Sequence, residues 1–452
     1  MLTVTPLAGA SVARRRLWTA RRRLPIGGAR IPARGIARTA HALGRHPVGR
    51  APRPCRDSDD RHAGIRMRLD RRRLIGTGLL ALAAPAARAG TPPPPTSRPA
   101  GILDLAIAAD APSTPTGLAI ARGGRIFVMM PRFTGAEPIT LGEVLPDGSV
   151  KPYPDAAANR PDPQAPQATL FHVPNGVFDR DDTLWVLDAG LPTGKGRPVP
   201  GGAKILAIDI GRNSIRRTIP LDAGVVPDSS LNDLRVDVRD GRALAYVTDQ
   251  GQAGAGAILA VDLDSGRVVR RLADHPSTRS EEGLVKFVER RPVMERKGDA
   301  PEKSPKGGAN GIAISPDGRR LYYAPLMSRR LYAVETAALR DPNVSDAAVA
   351  ATVKDLGEKG MTGGLTTDSE DRVYLSLQEH NAVGRRLPDG TVEVLAADDR
   401  LIWADTFWIT PDRWLYISAA QVNRRPEFNR GRDLQQPPYA ILRMRIDADP
   451  VL

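Results

Sequence analysis

The chain has 452 residues, 41% of them hydrophobic and 4% aromatic, with 65 Lys+Arg against 51 Asp+Glu for a net charge of +14. Residues 1–89 hold 20 of the basic and 4 of the acidic side chains, so the chain from Gly90 onward is slightly acidic, at −2. No surplus of cations is left in the body to release counterions from phosphates, which excludes a nucleic-acid reading, and no apolar run approaches the ~20 residues of a membrane span.

Residues 1–66 are rich in Arg, Ala, Gly and Pro and show neither strand nor helix periodicity. Residues 67–89, MRLDRRRLIGTGLLALAAPAARA, have a charged start, an apolar stretch Leu74–Ala84 and a small-residue site at Ala87-Arg88-Ala89. Arg71-Arg72 ahead of that stretch resembles the twin-arginine export pattern. A signal belongs at a chain start, so translation is expected to begin near Met67, with 1–66 a mis-extended or disordered Arg-rich segment. The mature protein is then expected in the periplasm or outside the cell, without a membrane span and as a monomer. The single cysteine, Cys55, lies in the discarded part, which leaves no thiol for a disulfide, a nucleophile or a metal. Residues 90–101 read as an extended Pro-rich linker.

From 102 onward one phrase recurs six times: a polar residue, an apolar strand, a turn rich in Asp or Gly, then a second apolar or aromatic strand. The copies are Thr116-GLAIARGGRIFVMM, Asn175-GVFDRDDTLWVLDAG, Asn232-DLRVDVRDGRALAYVTDQG, Asn310-GIAISPDGRRLYYAP, Thr362-GGLTTDSEDRVYLSLQ and Asp405-TFWITPDRWLYISAA. They begin 59, 57, 78, 52 and 43 residues apart, which is the spacing of propeller blades. The fold expected for 102–452 is all-β: a six-bladed β-propeller of four-stranded antiparallel blades. The ring is expected to close by Ile102–Ile107 pairing with Tyr439–Ile446. The 78-residue interval implies an insertion, 274–306, of the kind that forms a lid or binding loop.

The motifs Pro131-RFTGAEPITLGEV, Leu184-WVLDAG, Leu231-NDLRVD, Ala245-YVTDQG, Met361-TGGL, Val373-YLSLQEHNAVGR and Trp403-ADTFWITPDRWLYISA together resemble the major royal jelly protein/yellow family. The resemblance covers nearly all of 105–445. It implies a secreted six-bladed propeller with a ligand site in or over its central channel, and bacterial members are similar to dopachrome-tautomerase-related proteins.

The polar residue opening each repeat falls at one phase, so Thr116, Asn175, Asn232 with Asp233, Asn310, Thr362, and Asp405 with Thr406 are expected to converge on the channel mouth. With Phe407, Trp403 and Gln378 they form the expected small-molecule site, for an aromatic or amine compound. Proton transfer on such a ligand would fall to Asp405, Asp233, His380 or Glu281. A ring of amide and carboxylate oxygens from Asn175, Asp233, Asn310 and Asp405 could hold Ca²⁺, as in the calcium-dependent lactonases of the related propeller superfamily. Thr116-Gly117 supplies no first-blade Glu for that role. The expectation is a binding protein without a cofactor, with a tautomerase-like isomerase or a metal-dependent lactonase as the alternative. Asp188 and Asp249, ending Leu184-WVLD and Ala245-YVTD, are expected to brace turns.

Overall fold

Apolar runs of four to seven residues, each ended by a turn with Asp, Pro or Gly at its corners, force the chain to reverse at short intervals. The computed structural model describes residues 103–239, 241–296 and 298–451. The segments 1–66, 67–89 and 90–101, with their expected export signal and linker, lie outside the described residues. In the Ser-Pro-Asp-Gly turn, Gly318 sits at φ +70° and its N–H donates to the Ser315 carbonyl at 2.9 Å. The flanking strands Ala309–Ile314 and Arg320–Pro325 pair antiparallel, and Arg330–Glu335 and Lys354–Glu358 complete a four-stranded sheet.

Six such sheets form. Blade 1 runs from Gly117–Ile120 to Val150–Pro152, blade 2 from Asn175–Phe178 to Ser214–Pro220, and blade 3 from Leu231–Asp237 to Val268–Arg271. Blade 4 is the sheet above, and blade 5 runs from Leu365–Thr367 to Val392–Ala397. Blade 6 joins both ends of the described chain: Ala404–Ile409, Trp414–Ala419, Tyr439–Arg445 and, outermost, Asp104–Ala109. The closure expected from the sequence is therefore present, with Ile107 opposite Ile441. The first strand of every blade touches the first strands of its two neighbours, which closes the ring around an axis.

Each seam between blades holds its own apolar core, as in Leu187, Ile205, Leu234 and Val247 between blades 2 and 3, or Ile258, Ile312 and Tyr323 between blades 3 and 4. Burial of each such side chain contributes about 1.5–3 kcal/mol. Asp188 ends the second strand of blade 2 and accepts from the N–H groups of Phe171, His172 and Gly190 and from Lys204 Nζ at 2.7 Å. Asp249, at the same place in blade 3, accepts from Ser229 Oγ, the Ser230 and Gly251 N–H groups and Arg270. Both aspartates brace turns.

The insertion carries a short hairpin, Phe287–Val288 with Arg291–Pro292. Val288 and Val293 pack with Trp403, Ala420 and Phe428, and Glu289 pairs with Arg424 at 2.6 Å. The insertion thus crosses to blade 6. Among the described residues no helix is long and apolar enough to cross a membrane. Deleting the chain through Ala109 strips the outer strand from blade 6 and uncovers Tyr439, Ile441 and Leu442; the melting temperature should fall by more than ~5 °C, and a drop within error would show that closure is dispensable.

Candidate ligand site at the propeller axis

Irregularities in the innermost strands build the site. Register shifts occur between Leu231 and Leu234, Ala309 and Gly311, and Ala404 and Phe407. They bracket Asn232-Asp233, Asn310 and Asp405-Thr406, and a bulge re-aims a side chain and leaves one N–H without a ladder partner. A hydroxyl from the adjacent strand takes up that N–H. Thr248 Oγ1 accepts from Asp233 N at 3.1 Å, and Ser418 Oγ accepts from Thr406 N at 3.0 Å. The same hydroxyls donate to the next blade, at the Asn310 and Thr116 carbonyls. Bulge and ring closure are therefore one hydrogen-bonded unit.

Thr116, Asn175, Asn232, Asp233, Asn310, Asp405 and Thr406 surround a cavity of about 100 Å³, with Phe133, His172, Gln250 and Trp403 completing its wall. Thr362 is not among them: its hydroxyl donates to the Gly364 carbonyl and shares a hydrogen bond with Ser376, and blade 5 presents Gly364 instead. Gly364 must be glycine, because a Cβ there would overlap the Asp405 carbonyl oxygen. Phe407 points into the packing between blades 5 and 6 and a lower space, away from the cavity. His380 is exposed at the end of the turn Gln378–His380, and Glu281 is exposed on the insertion. A polar side chain in a surface turn has no packing force to carry it to the axis, so neither joins Asp405.

Below the cavity, Asp233 Oδ1 accepts from Asn175 Nδ2, Leu234 N and Arg235 Nη1. The Arg235 guanidinium also reaches across to the Leu365 carbonyl of blade 5. Trp408 fills the axis beneath, edge-on to Phe178 at 6.0 Å and in contact with the cores of blades 1, 2, 3 and 6. Phe407 and Trp408 line a separate lower space of about 50 Å³.

Above the cavity, Gln378, expected at the site, meets Lys286, one of two lysines that the sequence did not single out. Lys286, from the insertion, is wholly buried, with Nζ 4.4 Å from the centre of the Trp403 ring and donating to Gln378 Oε1 at 2.8 Å. Gln378 in turn donates to the Ala404 carbonyl. Burial lowers Lys286 to about 7 against the pull of Asp405 and Glu379. Burial raises Asp405 to about 7, opposed by Lys286 and reinforced by Asp233. Lys359, also buried, is lowered to about 7 by desolvation and by the charges of Lys286 and Arg329. Desolvation keeps His172 neutral, at about 4, with Nδ1 3.0 Å from the Arg132 carbonyl. No pattern in the sequence marks Lys286 or Lys359, since both are single lysines in loops.

The ring does not fit a calcium ion. Asp233 Oδ1 is spent on three donors, one of them a guanidinium, and the Lys286 ammonium lies within electrostatic reach of Asp405. Ca²⁺ takes six to eight oxygen ligands, waters included, with carboxylates as its main anchors. Among the described residues no three His, Cys, Asp or Glu side chains are grouped to hold a metal.

The family profile described as Major royal jelly protein matches residues 177–423. Major royal jelly protein 1 of Apis mellifera is 24% identical over 254 residues, 55% of this chain and 55% of that protein. Protein yellow of Drosophila madeirensis is 30% identical over 281 residues, 58% of this chain and 46% of that protein. The chain spans about half the length of these curated relatives. Among solved structures, a luciferin-regenerating enzyme superposes with a TM-score of 0.50 at 10% identity, over 77% of this chain and 97% of its own; that likeness concerns the fold alone.

Proposed function

The chain belongs to the major royal jelly protein family, and from that premise we propose that it binds one small aromatic amine in the axial cavity. The carrying observation is the Asp405 carboxylate. It stands at a bulge where six blades converge, beside an indole ring, in a cavity whose other polar groups are amides, hydroxyls, the neutral imidazole of His172 and an Asp233 carboxylate already paired with Arg235. Convergent polar groups on an otherwise closed, partly aromatic wall are the makeup of a small-ligand pocket, and a carboxylate beside an aromatic face suits a cationic amine. Calorimetric titration of the purified protein with tryptamine, with and without EDTA, should give one site per chain and the same affinity in both. Absence of binding by millimolar tryptamine would overturn the reading, and binding that EDTA abolishes would restore the metal.

A second reading, a tautomerase-like isomerase, is favoured by one observation: Asp405 and Lys286 face the same region with protonation midpoints both near 7. An acid and a base of that strength suit proton transfer at neutral pH. Turnover of an aminochrome that disappears on removing either side chain would select this reading over simple binding.

A further inference from the structure

We propose that Lys286 is a tethered occupant of the amine subsite: its ammonium rests on Trp403 next to Asp405, and an incoming amine must displace it. The inference rests on reading the axial cavity as an amine site.

Three observations lead to it. First, Lys286 already makes the contacts an amine ligand would seek. Nζ lies 4.4 Å from the Trp403 ring centre and within electrostatic reach of Asp405, yet the two charges form no ion pair within the bonding limit. Among the described residues, its hydrogen-bond acceptor is Gln378 Oε1, at 2.8 Å. An ammonium has three donors, so a fully buried Lys286 is under-satisfied. Second, the other aromatic ring of the mouth is covered in the same way: the Arg425 guanidinium carbon lies 3.3 Å from the Phe133 ring centre. The indole and the phenyl ring of the cavity wall thus each carry a cation of the protein itself. Third, the remaining space of about 100 Å³ is well below the ~300–1,000 Å³ of pockets that enclose ligands of drug size. An aromatic amine therefore needs a neighbouring group to move, and Lys286 rests on Trp403 of the cavity wall.

The charges around Lys286 pull in opposite directions. Asp405 of blade 6 and Glu379 of the turn after blade 5's second strand attract it, while Lys359, which follows blade 4, repels it. Arg329 and Glu281 act on Lys359 in opposite senses. Lys286 also belongs to the insertion and not to any blade, so it can leave without breaking a sheet.

A lysine that occupies the site lowers the apparent affinity by the fraction of molecules left open. The test titrates the full chain with tryptamine and, as an anionic control of similar shape, indole-3-propionate. At pH 7.5, where Asp405 is ionised and part of the Lys286 population still carries its proton, Lys286→Met should bind tryptamine at least ~3-fold tighter than the wild type. The gain should shrink at pH 8.5, where the wild-type amine has lost its proton, and indole-3-propionate should show no such gain. Lys286→Gln serves as a second variant if the first fails to fold. Wild-type binding that neither variant improves overturns the inference and leaves the amine reading in place. An equal gain for both ligands also overturns it, because it would mean that only space was created. No tryptamine binding by any variant removes both.

Discussion

Asp405→Asn should weaken tryptamine binding by about 30- to 100-fold at pH 8. Hydrogen bonds to a charged group are worth roughly 1.5–3 kcal/mol, and about 1.4 kcal/mol is tenfold in affinity. The pH profile is the sharper readout. Burial holds the Asp405 carboxyl at about 7, so it is neutral below that value and charged above it. An alkylamine stays protonated to ~10, so wild-type affinity should climb as pH rises through 7 and then level. In Asp405→Asn the climb should vanish. Stability should move the other way. A carboxyl whose folded midpoint lies above its unfolded one contributes stability that is full below ~4 and is lost as pH rises through 7. At pH 8 the substituted protein should therefore unfold at a higher denaturant concentration than the wild type. Equal affinity and a retained pH slope would show that Asp405 is not the amine's partner.

Lys204→Ala should be the most destabilising substitution that leaves every axial side chain in place, costing about 3–5 kcal/mol. Lys204 and Asp188 are both buried, at 1% and 0% side-chain exposure, and 2.7 Å apart. Lys204 Nζ also donates to the Thr169 and Gly202 carbonyls. Removing it strands a negative charge in an apolar seam and leaves two acceptors unmet. Truncating Arg413, whose pair with Asp449 is half exposed on both sides at 51% and 56%, should change stability by less than ~1 kcal/mol. Urea unfolding midpoints compare the two; a Lys204→Ala loss no larger than that of Arg413→Ala would refute the assignment. The consequence reaches the cavity, because Asp188 holds the backbone of His172, which lines it.

The blades and their closure were legible because they are written in local terms. The turn at Asp317-Gly318 and the alternation in Leu321–Ala324 repeat at regular intervals, and the leftover strand at Asp104–Ala109 had one place to go. The inward ring was legible in part. Asn175, Asn232, Asp233, Asn310 and Asp405 each open the innermost strand of a blade, and where a bulge falls there it re-aims the side chain rather than turning it from the axis. Thr362 opens its repeat too but spends its hydroxyl on its own turn. The cap was not legible. Lys286 is separated from Gln378 by 92 residues, and nothing local to either predicts that they meet. Phe407 and Trp403 were named together from sequence, yet a two-residue bulge between them sends one ring to the mouth and the other below the floor.

Below the cavity the axis is crossed by the guanidinium of Arg235 and the indole of Trp408. On the proposed amine reading, a ligand that displaces Lys286 would enter and leave in series with movement of the segment that carries it. Entry and exit would then share one gate, so a tight complex should show slow arrival as well as slow departure. Residence time would be governed by how often that segment lifts, and it could be tuned from the rim without touching the walls.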